Sequence, residues 1–269
     1  MQSLFILPSS EKKLLLIRID LKRIFEKIKK RIQFGKEFKA FKKVASNHEE
    51  RFDLNREDVL RCMNDNTPGT GFDRHYIYHT SWAARFLKDS GVKQHVDISS
   101  TLYFCGIISA YLSVDFYDYR PANLVLSDLT SNKADLVKLE WESNSIKSLS
   151  CMHTVEHVGL GRYGDDYDYD GDLKAMKELA RVLTKGGQLL FVVPVGKRAR
   201  IQYNAHRVYT ADLVISTFKS FGLDLVELTL IPEDEKDGGL VKNPLAELLE
   251  TQNYACGCFV FTKSTSANV

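Results

Sequence analysis

Apolar positions recur along this chain with two different periods, and the pattern changes near residue 72. Ile17, Leu21, Ile24, Ile28 and Ile32 return every three or four positions, which places them on one face of a helix, while Lys22, Lys27, Lys29, Lys30 and Arg31 fall mostly elsewhere. Gly35 is expected to interrupt this helix. The mixed polar stretch from Ser46 to Gly71 reads as a connecting segment with a short helix near 55–63. From Phe72 onward, helical and extended patterns alternate. Ile77 to Leu87 predicts a helix and HVDI at 95–98 a first strand, followed by a helix over 103–111, a strand over 113–118 and a short extended piece around 123–128. IKSLSCMH at 146–153 is a further strand. LKAMKELARVL at 173–183 has the spacing of an amphipathic helix, stopped by Gly186-Gly187, and QLLFVVPV at 188–195 is a buried strand. A helix at 211–220 precedes the strands LDLVELTLI at 223–231 and YACGCFVFTK at 254–263.

Strands and helices that alternate through short links predict an α/β fold, a doubly wound and mostly parallel seven-stranded sheet. No helical crossover pattern separates the last two strands, so they are expected to form an antiparallel pair at the edge. The organisation that follows is a basic helical arm over 1–45, a connecting segment over 46–71 and the α/β domain over 72–269.

Charge changes this picture at the arm. Between Glu11 and Lys43 there are thirteen Lys/Arg against four Asp/Glu, a local +9 in a chain of net +2, which leaves −7 on the rest. A basic amphipathic helix suits packing on its own domain, or contact between residues 11–43 and an anionic membrane, about equally well. Nucleic acid is the less favoured partner, because the arm carries no sequence-reading motif. The 44% apolar and 27% charged composition is that of an ordinary globular protein, and no apolar run reaches the roughly 18 residues of a membrane span. Five cysteines without a CxxC argue for a reducing compartment. The LLLI run at 14–17 is too short, and too close to charges, for a signal peptide. A cytoplasmic protein is expected, peripheral at the inner membrane face if the arm engages lipid.

Doubly wound sheets bind ligands beyond the carboxyl ends of their strands. Asp97, Ser99 and Ser100 follow the first strand. Asp118 follows the second, 21 positions after Asp97, near the separation at which an acid reaches a ribose diol. The stretch ADLVKLEWESNSIKSLSCMHTVEHVGLGRYGD at 134–165, with LKAMKELARVLTKGGQLLFVVPVG after it, resembles the motif series of the class I S-adenosylmethionine-dependent methyltransferases. EHVGLGRYGD, with NAHRVY at 204–209, is similar to an uncharacterised, largely bacterial methyltransferase-like family. The resemblance covers residues 72–263 and implies a Rossmann-like methyltransferase fold with S-adenosylmethionine as cofactor. It implies Asp135, with Leu136 beside it, at the adenine, and the loop with Ser99 and Ser100 at the methionine part; Asp97 is a candidate for the cofactor amine or simply ends the first strand. One departure is plain: Ser99 and Ser100 stand where that family carries glycines.

Around this edge His157 is the candidate base for an acceptor hydroxyl, against a role as a loop cap. Glu156 is a candidate for acceptor contact or for holding the loop, Arg162 and Tyr163 sit in a glycine-hinged loop suited to a lid, and His206 and Arg207 are candidates for an anionic acceptor. No metal site is expected. Asp166-x-Asp168-x-Asp170-Gly171 opens like a calcium loop, but Lys177 stands where a bidentate Glu is required, and Cys256 and Cys258 read as core thiols. The function the resemblance implies is methyl transfer, with O-methylation of a sugar or polysaccharide intermediate as the expected reaction and a small-molecule or glycan acceptor. The alternatives are a catalytically inactive scaffold that kept the fold, for which Ser99-Ser100 speaks, and an RNA methyltransferase. A nicotinamide-dependent oxidoreductase is disfavoured because no GxGxxG follows the first strand.

Overall fold

The computed structural model describes residues 9–48 and 51–264, with side chains from residue 21 onward. The chain divides into two compact units, Met1–Gly71 and Phe72–Val269.

The first unit is built on one helix, α1 (Ser9–Ala45). It runs unbroken through Gly35, contrary to the interruption its sequence suggests. A lone helical glycine costs only about 1 kcal/mol against alanine, which the 37-residue run absorbs. Leu21, Ile24, Phe25, Ile28 and Ile32 are exposed. The side chains of Glu11 to Ile17, which belong to the expected basic and apolar faces, lie outside the described residues. The short helix expected near 55–63 does not form, and that stretch is turn and irregular chain. No helix among the described residues is long and apolar enough to cross a membrane.

The second unit runs α2 (Arg74–Ser90), β1 (Gln94–Ile98), α3 (Leu102–Ile108), β2 (Ser113–Asp118), β3 (Leu129–Lys133), β4 (Ile146–Met152), α4 (Gly171–Val182) and β5 (Leu183–Val195). A hairpin follows, β6 (Arg200–Gln202) and β7 (His206–Val208), then α5 (Ala211–Ser220), β8 (Leu223–Ile231), β9 (Val241–Lys242), α6 (Ala246–Thr251) and β10 (Ala255–Lys263). The main sheet has the order β3-β2-β1-β4-β5-β10-β8-β9. β1 to β5 pair in parallel, and β10 lies antiparallel between β5 and β8. This is the doubly wound, mostly parallel α/β sheet with an antiparallel edge that the alternation predicts, extended by the two-residue β9.

Three details differ from the sequence reading. The third strand is the polar LTSNK at 129–133 rather than the piece at 123–128; as the last strand at that end of the sheet, much of it faces water, so no apolar run marks it. α4 ends at Val182, ahead of the glycines, and the chain turns directly into β5. Gly186-Gly187 instead sit where the β4–β5 register slips, and a Cβ on Gly187 would stand 2.9 Å from the Thr184 carbonyl oxygen. The hairpin β6–β7 is too short to leave a periodic signal.

Period-two alternation sorts the core onto the two faces of the sheet. Leu189, Phe191, Val193 and Val195 of β5, with Phe259 and Phe261 of β10, meet Met176 and Leu179 of α4 and Phe218 of α5. Leu190 and Val192, with Cys256, Cys258 and Val260, face Trp82 and Leu87 of α2 and Phe104 and Ile108 of α3. Burying one such aliphatic or aromatic side chain is worth about 1.5–3 kcal/mol, so the two layers fix the sheet between them. Asp73 caps α2 by accepting the Tyr76 N–H at 3.2 Å, and Gly91 closes it in the left-handed region. α3, after β1, and α4, after β4, pack on opposite faces of adjacent strands. The strand order reverses there, and a crevice opens at the carboxyl ends of the parallel strands β1 and β4.

Candidate functional site

A cavity of about 450 Å³ occupies that crevice, a size that accommodates a nucleoside-bearing ligand. Four loops line it: Ser99 after β1, Asp118 to Arg120 after β2, Ala134 to Val137 after β3, and, after β4, His153, Thr154, His157 to Gly159, Tyr163, Asp165, Asp166 and Asp168. Of the residues singled out from sequence, Ser99, Asp118, Asp135, Leu136, His157 and Tyr163 meet on its wall. Asp97, Ser100, Glu156, Arg162, His206 and Arg207 do not line it.

Asp97 and Ser100 lie beneath the floor. Asp97 is fully buried, and its carboxylate accepts the Ser100 N–H at 3.0 Å and the Ser150 hydroxyl. Burial pushes its pKa up to about 6 against the pull of those donors. Ser100 Oγ accepts the Met152 N–H at 3.1 Å. Together they tie the loop after β1 to β4, and the cofactor contacts expected of them are replaced by this bracing. Ser99 faces the cavity with a φ of +58°, the left-handed backbone in which glycine is usual. Its N–H donates to the Tyr117 carbonyl at 2.7 Å and its carbonyl accepts the Thr154 hydroxyl at 2.9 Å. The serine therefore follows a glycine's path.

After β2 and β3, Asp118 Oδ1 accepts the Arg120 N–H at 2.7 Å and Asp135 Oδ1 accepts the Val137 N–H at 3.1 Å. These bonds orient each carboxylate at the cavity edge, and Leu136 adds an apolar surface beside them. Asp118, Asp135, Asp165, Asp166 and Asp168 against Arg120 make the wall predominantly acidic.

His157 leaves the short 3-10 turn Val155–His157. Its Nδ1–H donates to the Ala205 carbonyl at 2.7 Å, which leaves Nε2 unprotonated, and burial lowers its pKa so that the neutral ring dominates. Glu156 is buried, accepts His153 Nδ1–H at 2.9 Å through Oε1, and has its other oxygen unpartnered; burial pushes its pKa up to about 7. Tyr163 is flanked by the guanidinium groups of Arg120 and Arg162, each 5.1 Å from the ring centre.

The loop after β4 is held closed rather than hinged. Asp165 Oδ2 accepts the N–H groups of Gly159 (2.7 Å) and Gly161 (3.4 Å), and Oδ1 accepts that of Tyr163 (3.1 Å). Gly159 and Gly161 have left-handed φ, and a Cβ on Gly159 would stand 2.1 Å from the Asp168 carbonyl oxygen. The glycines permit close packing, which corrects the expectation that they free a lid. Arg207 is buried and donates to the carbonyls of Val158 (2.6 Å) and Tyr169 (3.0 Å), so it fastens this loop from below instead of reaching an acceptor. Asp168 accepts the Asp170 N–H and pairs with Lys174 at the start of α4, the helix-terminus role in which acids are favoured.

Beside the cavity four rings form a continuous stack that sequence reasoning missed. His206 stacks on Tyr254 (5.2 Å between centres), Tyr254 on His75 (5.1 Å) and His75 on His153 (5.4 Å). His153 Nε2 accepts the Cys256 thiol at 3.4 Å, and donor atoms of His75, His153 and Cys256 lie within 4.8 Å of one another. The histidine pair His75/His79 at helical spacing and the imidazole directly after β4 were the available signals; nothing local connects them to Cys256.

Residues 122–229, from before β3 into β8, match a family model described as "Caenorhabditis protein of unknown function, DUF268". No curated protein matches the chain. Among solved structures, the chain is similar to the YcgJ protein of Bacillus subtilis, with 13% identity and a TM-score of 0.48 over 71% of this chain and 100% of that one. It is similar as well to a putative sarcosine dimethylglycine methyltransferase of Galdieria sulphuraria, with 15% identity and a TM-score of 0.47 over 69% of this chain and 85% of that one. A third is the Burkholderia thailandensis 1,6-didemethyltoxoflavin-N1-methyltransferase, a structure that holds S-adenosylhomocysteine, with 10% identity and a TM-score of 0.48 over 69% and 78%.

Proposed function

We propose that this protein is an S-adenosylmethionine-dependent methyltransferase acting on a hydroxyl, with a sugar or polysaccharide intermediate as the acceptor class. The observation that carries this is the convergence of Asp118, Asp135 and His157 on one acidic cavity at the switch point of the sheet. Asp118 would take the ribose hydroxyls and Asp135 the adenine edge, with Leu136 against the ring. The acidic wall suits a sulfonium cation and would disfavour an anionic nucleotide. Ser99, already on a glycine's backbone path, answers the main sequence objection to a bound cofactor and weighs against the inactive-scaffold reading. The bound cofactor supplies an electrophilic methyl group. The chain's part is to position the acceptor in line with it and, through the unprotonated Nε2 of His157, to accept the hydroxyl proton. Calorimetric titration with S-adenosylhomocysteine tests this: the wild type binds, and Asp118→Ala loses about ten- to a hundredfold in affinity, the value of an ionised acceptor to two buried hydroxyls. Absence of binding at millimolar ligand would return the protein to the scaffold reading.

The arm belongs to the same proposal. Its exposed apolar residues and thirteen basic ones suit an anionic membrane face, where a lipid-linked glycan precursor would be met. Cosedimentation of the full chain with anionic liposomes at low salt, released near molar salt and lost on deletion of residues 1–45, is the expected result. A preference for RNA over liposomes would favour the RNA-methyltransferase variant.

A further inference from the structure

Beside the cavity, three metal-ligating side chains from three elements converge. His75 comes from the first turn of α2, His153 follows β4, and Cys256 is the second residue of β10. Zinc bonds of about 2.0–2.1 Å to nitrogen and 2.3 Å to sulfur, set at tetrahedral angles, place a nitrogen and a sulfur ligand about 3.5 Å apart. His153 Nε2 and Cys256 Sγ are already 3.4 Å apart. The three donors lie within 4.8 Å of one another, so closing the remaining distances takes about 1 Å of movement together with a turn of the His75 ring out of its stack on His153, which brings its in-plane lone pair toward the shared position.

The surroundings of His153 point the same way. Its Nδ1–H donates to Glu156 Oε1 at 2.9 Å, which fixes the tautomer with the Nε2 lone pair toward Cys256. A carboxylate behind a ligating imidazole is the usual outer support of a metal-bound histidine. Without a cation the arrangement is expensive. Glu156 is 1% exposed with Oε2 unpartnered, and His153 is held at a φ of +55°. His79 packs against His153, is fully buried, and has Nε2 unpartnered as well; its Nδ1 meets the His75 carbonyl oxygen at 2.6 Å.

We propose that His75, His153 and Cys256 bind one zinc-type divalent ion, with Glu156 orienting His153 from behind. Two imidazoles and a thiolate select zinc over magnesium or calcium, which prefer oxygen ligands. Binding converts the Cys256 thiol to a thiolate and releases its proton to solvent. Three protein ligands leave a fourth position for water, and His153 also lines the cavity, so that position adjoins the space for an acceptor. The metal site stands independently of the methyl-transfer reading.

The test uses the full chain with Cys62→Ser, which removes the exposed thiol, stripped of metal by a chelator and titrated with cobalt(II). The expected result is saturation at one equivalent, with a thiolate-to-cobalt charge-transfer band that zinc abolishes by displacement. His75→Ala and Cys256→Ser each lose the band, Cys258→Ser retains it, and Glu156→Gln weakens zinc affinity by about 10–100-fold. Circular dichroism establishes that each variant is folded, and His75→Ala, which changes a half-buried residue, keeps the test decisive should Cys256→Ser fail to fold. A folded parent without a saturable band, or a band that survives in His75→Ala or Cys256→Ser, overturns the proposal.

Discussion

The loops after β1 and β4 both enter the left-handed region of the backbone, at the cavity with the side-chain-bearing residues Ser99 and His153 and further along the second loop with glycine. Ser99 adopts φ +58° although it carries a side chain, whereas Gly159 and Gly161 adopt φ +78° and +69° without one. The difference lies in space rather than in dihedral angle. Ser99 borders a cavity and is held by hydrogen bonds at its N–H and its carbonyl, so the strain of about 1–3 kcal/mol is the only cost. At Gly159 a Cβ would collide with the Asp168 carbonyl oxygen, whereas at Gly161 it would meet only the exposed Tyr167 ring, at 2.6 Å, which can swing aside. A missing glycine is therefore tolerable where the chain faces a ligand space and prohibitive where it faces its own backbone.

The most severe way to break this contrast is Gly159→Ala, which combines an unfavourable φ with a 2.1 Å approach to backbone. It should destabilise the protein by about 3–5 kcal/mol in urea unfolding; a loss below about 1 kcal/mol would mean that the loop is not held as described. Next comes the bracing beneath the first loop. Asp97 has its folded pKa raised to about 6 from 3.8, so folding favours its protonated form. Stability from this group is present at low pH and falls as pH rises from about 4 to about 6, by about 3 kcal/mol in all. Asp97→Asn should remove that decline, read as the difference in unfolding free energy between about pH 4 and pH 7; an unchanged slope would show that Asp97 is not the group responsible. The smallest effect is Ser99→Gly, which relieves strain but frees the unfolded chain. A gain of about 0.5–1 kcal/mol is expected, with S-adenosylhomocysteine affinity within about threefold of the wild type. A loss of stability would mean that the serine is held by interactions stronger than its strain.

How much of this the sequence disclosed follows from which forces leave periodic marks. β5 and β10, buried on both faces, announce themselves as apolar runs, and α4 and α5 by one-sided spacing. β3 does not, because LTSNK is a largely solvated strand with no apolar requirement. Asp118 and His157 were legible because sheet topology carries strand-end residues to one crevice, and Asp135 through the resemblance, since the strand before it leaves no apolar mark. The inward turn of Asp97 and Ser100 and the fastening role of Arg207 were not, since each depends on which neighbours arrive from elsewhere: Ser150, Met152 and the carbonyls of Val158 and Tyr169. The meeting of His75, His153 and Cys256 spans some 180 positions of chain and no local pattern encodes it.

The place of β10 has a consequence for the birth of the molecule. This strand, Ala255–Lys263, fills the slot between β5 and β8, and Phe259 and Phe261 close the layer against α4 and α5. During synthesis the basic helix leaves the ribosome first, while a gap persists in the sheet until residue 263 has emerged. Through that interval the flanks of β5 and β8 are unpaired apolar edges, a state open to mispairing and to chaperones. The acidic domain thus closes its sheet only when its last strand has joined, later than the basic arm is made.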